Sequence, residues 1–165
     1  MRPFPTTPEA PRDRRLYVSY EDNSIVHTEG PSNLVRILFG APESGVELEP
    51  SGPVISVALP VLSRSGSVEA WHTPQTLHSG TENDLVYACT DSWMMAGCVT
   101  PERPDRSLAE LTEQAYRRIL GFFEASGYPH LYRTWNYFPL IHASDEALEL
   151  DRYQAFCVGR HNAFA

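Results

Sequence analysis

Residues 107–127 read Ser-Leu-Ala-Glu-Leu-Thr-Glu-Gln-Ala-Tyr-Arg-Arg-Ile-Leu-Gly-Phe-Phe-Glu-Ala-Ser-Gly. Ser107 followed three positions on by Glu110 is a capping box, in which each side chain serves the other's exposed backbone amide. Leu108, Leu111, Ala115, Ile119, Phe122 and Phe123 recur at helical spacing and give one apolar stripe. Gly127 supplies the left-handed stop at the far end. A helix with both ends marked thus follows a long stretch of strand-like runs, and that order decides the fold class.

On its N-terminal side the strand signals are Leu16–Tyr20, Asn33–Phe39 (NLVRILF), Val54–Pro60 and Ser67–His72. Gly40–Gly52, with two prolines and three glycines, reads as a turn-rich connection. Leu77–Thr90 and Ser92–Val99 read as a hairpin turning near Asp91, closed off by Pro101 and Pro104. On the C-terminal side, Leu131–Phe138 (LYRTWNYF) is an aromatic, strand-like run. A second helix is expected over Asp145–Ala163, with Leu148, Tyr153, Phe156, Cys157 and Phe164 near one face and Gly159 as its weak point. Strands with helices gathered on one face make a two-layer α+β domain with two helices. It is expected over residues 14–165, behind a flexible proline-rich arm at 1–13.

Composition narrows the function. The 165 residues are 42% hydrophobic and 11% aromatic, enough for one core, and carry a formal net charge of −8. Without a basic block, the attraction that drives nucleic-acid binding is missing, and no partnership with nucleic acid or an acidic membrane is expected. All thirteen basic residues are arginine. A chain without lysine excludes Schiff-base chemistry, a lysine-anchored pyridoxal cofactor and a Walker-type phosphate loop. Arginine is suited to bidentate carboxylate capture, although a genome biased toward arginine codons is the plainer source of the zero. Cys89, Cys98 and Cys157 are scattered and odd in number, which argues against a disulfide framework. The six histidines show no metal spacing, so neither a metal nor a cofactor is expected. The N-terminal residues carry no apolar core of a signal peptide, and no run reaches a membrane span, so a cytoplasmic protein is expected.

Three stretches carry a family resemblance: DSWMMAGCV at 91–99, the capped helix ending FFEASGY, and HLYRTWNYFPLI followed by LDRYQAFCVGRHNAF. The pattern R-x-W-N-Y from Arg133 and then R-Y-x-x-F-x-x-G-R from Arg152 is the most specific. Together they resemble the chorismatase family, whose members are similar to paired Rid/YjgF-type domains, with a chorismate-mutase-like sheet. The resemblance covers roughly residues 14–164. It implies hydrolysis of chorismate, with loss of pyruvate from the enol ether, in secondary metabolism. It also implies a longer chain: family members continue past GRHNAF into further strands and a second domain that carries the catalytic acid. On that expectation the 165 residues correspond to the supporting half, and no catalytic residue is assigned.

Chorismate is a dicarboxylate, so the resemblance implies fixed cations. Arg160, in Gly159-Arg160-His161, is the first candidate; its glycine leaves room for a ligand or for close helix packing. The plain alternative is a surface arginine, solvated or paired with Glu149. Arg133 is the second candidate. Strand alternation places Arg133, Trp135 and Tyr137 on one face and Tyr132, Thr134, Asn136 and Phe138 on the other. An arginine among aromatics can stack on a ring while its fork holds a carboxylate, or it can cap a helix. Tyr153 can donate to a ring hydroxyl or simply sit at a helix boundary. Cys98 reads as small core filler, and Glu69, Glu82 and Asp91 as solvated carboxylates.

Three functions compete: a chorismatase-like domain binding a small carboxylate; a non-catalytic Rid-like module that forms a homo-oligomer, a trimer by resemblance, or pairs with a complementary C-terminal half; and a small Rid-class deaminase.

Overall fold

A computed structural model describes residues 16–21, 33–60, 67–145 and 150–165. The arm at 1–13, His27, Leu148 and Glu149 lie outside the described residues. These divide into two compact units, one ending at Val99 and one beginning at Thr100.

In the first unit, β1 (Tyr17–Glu21), β2 (Asn33–Phe39), β3 (Gly45–Glu49), β4 (Gly52–Val57) and β5 (Val68–His72) form one sheet in the order β1-β5-β2-β4-β3. The β2–β4 pair is parallel and the other pairs are antiparallel. Leu34, Val35 and Ile37 of β2 are all buried, as suits a strand with neighbours on both sides in the sheet. A second sheet is a meander of β6 (His78–Glu82), β7 (Leu85–Cys89) and β8 (Met94–Gly97). Its middle strand lies against β2, β3 and β4.

Two sequence expectations are corrected here. The turn-rich stretch 40–52 contains β3, which pairs with β4 along its whole length. Its alternating Val46, Glu47, Leu48 and Glu49 suits an edge strand, but proline and glycine on either side mask it. Leu77–Thr90 is two strands and not one. The chain turns at Asn83-Asp84, where Asn83 has φ 55°, a left-handed conformation that asparagine tolerates in two-residue hairpin turns. The turn near Asp91 forms as expected: the Thr90 hydroxyl accepts from the amides of Ser92 (3.1 Å) and Trp93 (3.0 Å).

The second unit holds α1 (Leu108–Ala125), a short ribbon of β9 (Ser144–Asp145) and β10 (Leu150–Asp151), and α2 (Arg152–Phe164). The capping box is present: the Glu110 amide donates to the Ser107 hydroxyl at 3.3 Å, and the Ser107 amide to the Glu110 carboxylate at 2.8 Å. The Ser107 backbone and hydroxyl, with a smaller contribution from Arg106, hold the Glu110 carboxyl below its ordinary range against a modest desolvation. A lowered folded-state pKa contributes stability above the ordinary carboxylate range, and that contribution is lost as pH falls through the lowered value. At the other end Gly127 (φ 84°) closes a Schellman motif. Its amide donates to the Glu124 carbonyl (3.1 Å) and that of Tyr128 to the Phe123 carbonyl (2.8 Å).

The second helix starts later than expected, at Arg152. Asp151 caps it, accepting from the Gln154 amide at 2.7 Å, while Gln154 returns a bond at 3.1 Å. This box fixes the boundary at 151. The apolar stripe of α1 is also redrawn: Ala109, Leu111, Thr112 and Tyr116 are its buried residues, because α2 crosses there. Finally, Leu131–Phe138 forms no strand, although strand-forming residues dominate it. A strand is defined by the ladder it joins, and propensity alone does not supply one.

Candidate functional site

The second unit brings most of the nominated residues onto one aromatic framework. Phe156 of α2 is its hub. Phe138 stacks on it at 5.1 Å and 26°, Tyr116 of α1 meets it edge-on at 6.3 Å, and the Arg160 guanidinium lies over it at 5.6 Å. The segment 131–138 keeps the predicted alternation without a ladder. Thr134 and Asn136 turn to the Tyr116 hydroxyl, at 3.5 and 3.1 Å, while Arg133 stacks on Trp135 at 4.8 Å. Both nominated arginines therefore rest on rings. Among the described residues neither is paired with a carboxylate. A stacked guanidinium keeps the N–H donors at its edge for a planar anion. Arg133 and Arg160 are exposed, Tyr153 and Tyr137 partly so.

Gly159 resolves one of the alternatives open in the sequence. A Cβ there would fall 2.8 Å from Thr112 Cβ and 2.9 Å from the Ala109 carbonyl carbon, with the Ala109 oxygen nearer still. The missing side chain serves the close crossing of α1 and α2, and it leaves no room for a ligand at that point. Arg117 ties the same crossing, donating to the Asn162 carbonyl at 2.7 Å and to Glu113 at 2.9 Å.

A cleft of about 680 Å³ opens beside the N-terminus of α1, lined by Glu102, Asp105, Arg106, Glu110, Glu113 and Arg152 among others. None of Arg133, Trp135, Tyr137, Tyr153 and Arg160 lines it. Its two arginines face four carboxylates, and both are engaged: Arg106 donates to Gln114 at 2.8 Å, and Arg152 forks onto Glu102. Helix amides are engaged as well: that of Glu110 in α1 donates to the Ser107 hydroxyl, and those of Arg152 and Tyr153 in α2 to the carbonyls of Ala143 (2.8 Å) and Ile141 (3.1 Å). An anionic substrate gains little from such a cleft.

Sequence reasoning missed Tyr116 and Arg152. The first sat one position off the assumed stripe. The second stood inside the quoted R-Y-x-x-F-x-x-G-R pattern, and its place directly after an Asp cap was the signal. In the first unit, Ser19 Oγ lies 2.7 Å from His72 Nε2 and also donates to Glu21 at 2.7 Å. The carboxylate meets the serine and lies 3.9 Å from the same Nε2. A nucleophile–base–acid relay needs the acid on the other ring nitrogen, so this arrangement pins β1 to β5. Glu69 accepts from the Trp71 indole at 2.7 Å. No helix is long and apolar enough to cross a membrane, among the described residues.

With this geometry in hand, comparisons with known proteins point one way. The family described as Chorismatase FkbO/Hyg5-like, N-terminal, matches residues 69–165, more than half of the chain. A chorismatase of Streptomyces hygroscopicus is 28% identical over 148 residues, 89% of this chain and 42% of that protein. A chorismatase of Streptomyces rapamycinicus is also 28% identical over 148 residues, covering 43% of its length. A 3-hydroxybenzoate synthase of Streptomyces hygroscopicus is 29% identical over 96 residues, 58% of this chain and 27% of its own. Among solved structures, a chorismatase crystal structure superposes with TM-score 0.79 at 29% identity, over 91% of this chain and 45% of that one. The chain thus spans less than half the length of the relatives it matches.

Proposed function

The chain belongs to the FkbO/Hyg5-like chorismatase family, and from that premise we propose that it binds chorismate, or a closely related cyclohexadiene or aromatic carboxylate, for an enzyme of secondary metabolism. The observation that carries this reading is the likeness to chorismatases by sequence and by structure over about nine-tenths of the chain. In the reaction served, an acid protonates the enol-ether methylene, water adds to the resulting cation, and pyruvate leaves. The part assigned to this chain is to hold carboxylates: Arg160 on Phe156 first, Arg133 on Trp135 second, with Tyr137 and Tyr153 as polar neighbours.

Calorimetry with chorismate tests this. Arg160→Ala is expected to weaken binding about tenfold, the lower end for a charge-assisted contact because the side chain is exposed, and Arg133→Ala less. Unchanged affinity in Arg160→Ala sinks the assignment. Pyruvate release from chorismate, by the chain alone and with the C-terminal part of a chorismatase added, separates a catalytic from a supporting role.

A second reading, a Rid-like assembly module, is favoured by the apolar surface of the second unit: Tyr132 is 78% exposed, Leu140 75% and Phe164 56%. Exposed apolar side chains of this size mark interfaces where they join into a patch. On this reading the chain forms a homo-oligomer, a trimer in the Rid manner, or pairs with a complementary C-terminal half. Light scattering at micromolar concentration should then give a mass above that of one chain; a clean monomer overturns self-association.

A further inference from the structure

The segment 131–138 presents a problem of register. It carries Arg133, Trp135 and Tyr137 at alternate positions, yet it forms no strand. In a ladder, backbone pairing fixes which row of side chains faces which way. Here side chains must do that work. In the other row, Thr134 and Asn136 meet the Tyr116 hydroxyl, and Phe138 stacks on Phe156. Phe138 is apolar, and stacking tolerates sliding. The hydroxyl contact is directional.

Tyr116 is well placed to give direction. It is 7% exposed, and its ring is flanked edge-on by Phe156 at 6.3 Å and Phe164 at 5.7 Å. Both neighbours belong to α2 and Tyr116 to α1, so its hydroxyl is fixed by the helix pair. Its single proton goes to Asn136 Oδ1 at 3.1 Å, and Thr134 Oγ1 stands 3.5 Å away on the same oxygen. One phenol thus reads two positions spaced by two residues, the period of an extended chain. The intervening residue, Trp135, and its partner Arg133 are left to the other row.

We infer that Tyr116 is a positioning residue for the carboxylate site: its hydroxyl sets the register of 131–138, and so the presentation of the Arg133–Trp135 pair, without touching the ligand. This rests on the reading that Arg133 contributes to a carboxylate site. It goes beyond that reading by naming the group, on another element, that holds the arginine in place.

The test uses Tyr116→Phe, which keeps the ring and removes only the hydroxyl. Chorismate affinity is measured by calorimetry in the wild-type and Arg133→Ala backgrounds, with far-UV circular dichroism confirming the fold. Tyr116→Phe should weaken binding roughly 2- to 5-fold, the lower worth of one neutral hydrogen bond and less than the loss in Arg133→Ala, in the wild-type background. In Arg133→Ala most of that loss should disappear, because the phenol acts chiefly through that arginine. An equal loss in both backgrounds overturns the inference, since a general structural effect would not depend on Arg133. Amide hydrogen exchange over residues 130–138 is the second arm and needs no ligand. Faster exchange in Tyr116→Phe, confined to that segment, supports the register role; unchanged exchange overturns it. Wild-type protein that does not bind chorismate sinks the substrate reading, and the exchange arm still decides what Tyr116 holds.

Discussion

Replacing Gly159 with alanine should destabilise the protein by about 2–3 kcal/mol, the cost of forcing a methyl group into a closed contact, whereas the same change at Gly121 should stabilise it by about 0.5–1 kcal/mol. Both glycines lie inside helices, and intrinsic propensity favours alanine at both. The surroundings separate them. A Cβ at Gly121 would meet nothing within 4 Å, while one at Gly159 would press on the Ala109 carbonyl and Thr112 of the facing helix. Ala109 offers a backbone atom, which cannot swing aside, so the helices must move apart. That separation would also loosen the Arg117–Asn162 clasp. Urea denaturation followed by circular dichroism reads both variants. Equal signs at the two positions would show that the helix crossing is less tight than the distances imply.

The second large effect is expected at Arg152. Its guanidinium donates to both carboxylate oxygens of Glu102, at 3.1 Å through Nη1 and closer through Nη2, and from Nε to the Pro139 carbonyl at 3.1 Å. Three stretches meet on one side chain: the loop before α1, the end of the aromatic segment and the first turn of α2. An arginine at a helix N-terminus faces the positive end of the helix dipole, so the carboxylate is what makes the placement tolerable. The Arg152 side chain is 14% exposed and that of Glu102 51%, which puts the pair between the buried and surface limits. Arg152→Ala should therefore cost about 2–3 kcal/mol. Arg152→Lys should recover only part of it, because an ammonium cannot form the fork or reach Pro139 at the same time. Denaturation at low and high salt checks this; a cost below about 1 kcal/mol would place the pair among ordinary surface ion pairs.

What the sequence made legible was what local chemistry decides. Asn33–Phe39 is a strand to the residue because apolar and β-branched side chains dominate it on both sides of Arg36. The first helix is bounded by Ser107, Glu110 and Gly127, whose side-chain and backbone preferences act within one turn. What escaped depended on partners distant in the chain. β3 exists because β4 folds back on it. The run 131–138 has the residues of a strand and no ladder to join. Tyr116 looked like an off-stripe residue until Asn136, twenty positions on, arrived at its hydroxyl. The late start of α2 was the exception, since the Asp151–Gln154 box was there to be read. For the nominated residues, Arg133 beside Trp135 was legible from alternation and Arg160 only from the resemblance, whereas the Phe156 ring under Arg160 and the Tyr116 hydroxyl were not.

The strand order of the first sheet carries a consequence for how the chain is made. Among the described residues β1 has one neighbour in the sheet, β5, and Tyr17 pairs with His72. A ribosome releases β1 long before β5 exists, and β2, β3 and β4 emerge in between. The hairpin of β3 and β4 can close as soon as it appears, and β2 can then lie parallel to β4. Until residues 68–72 have left the exit tunnel, β1 must wait with its side of the β1–β5 ladder unpaired. Such distant pairings are slow because a long loop must close before any contact repays it. A strand made before its partner is thus built in after the strands that follow it, and the growing chain is most exposed to wrong pairing during that interval.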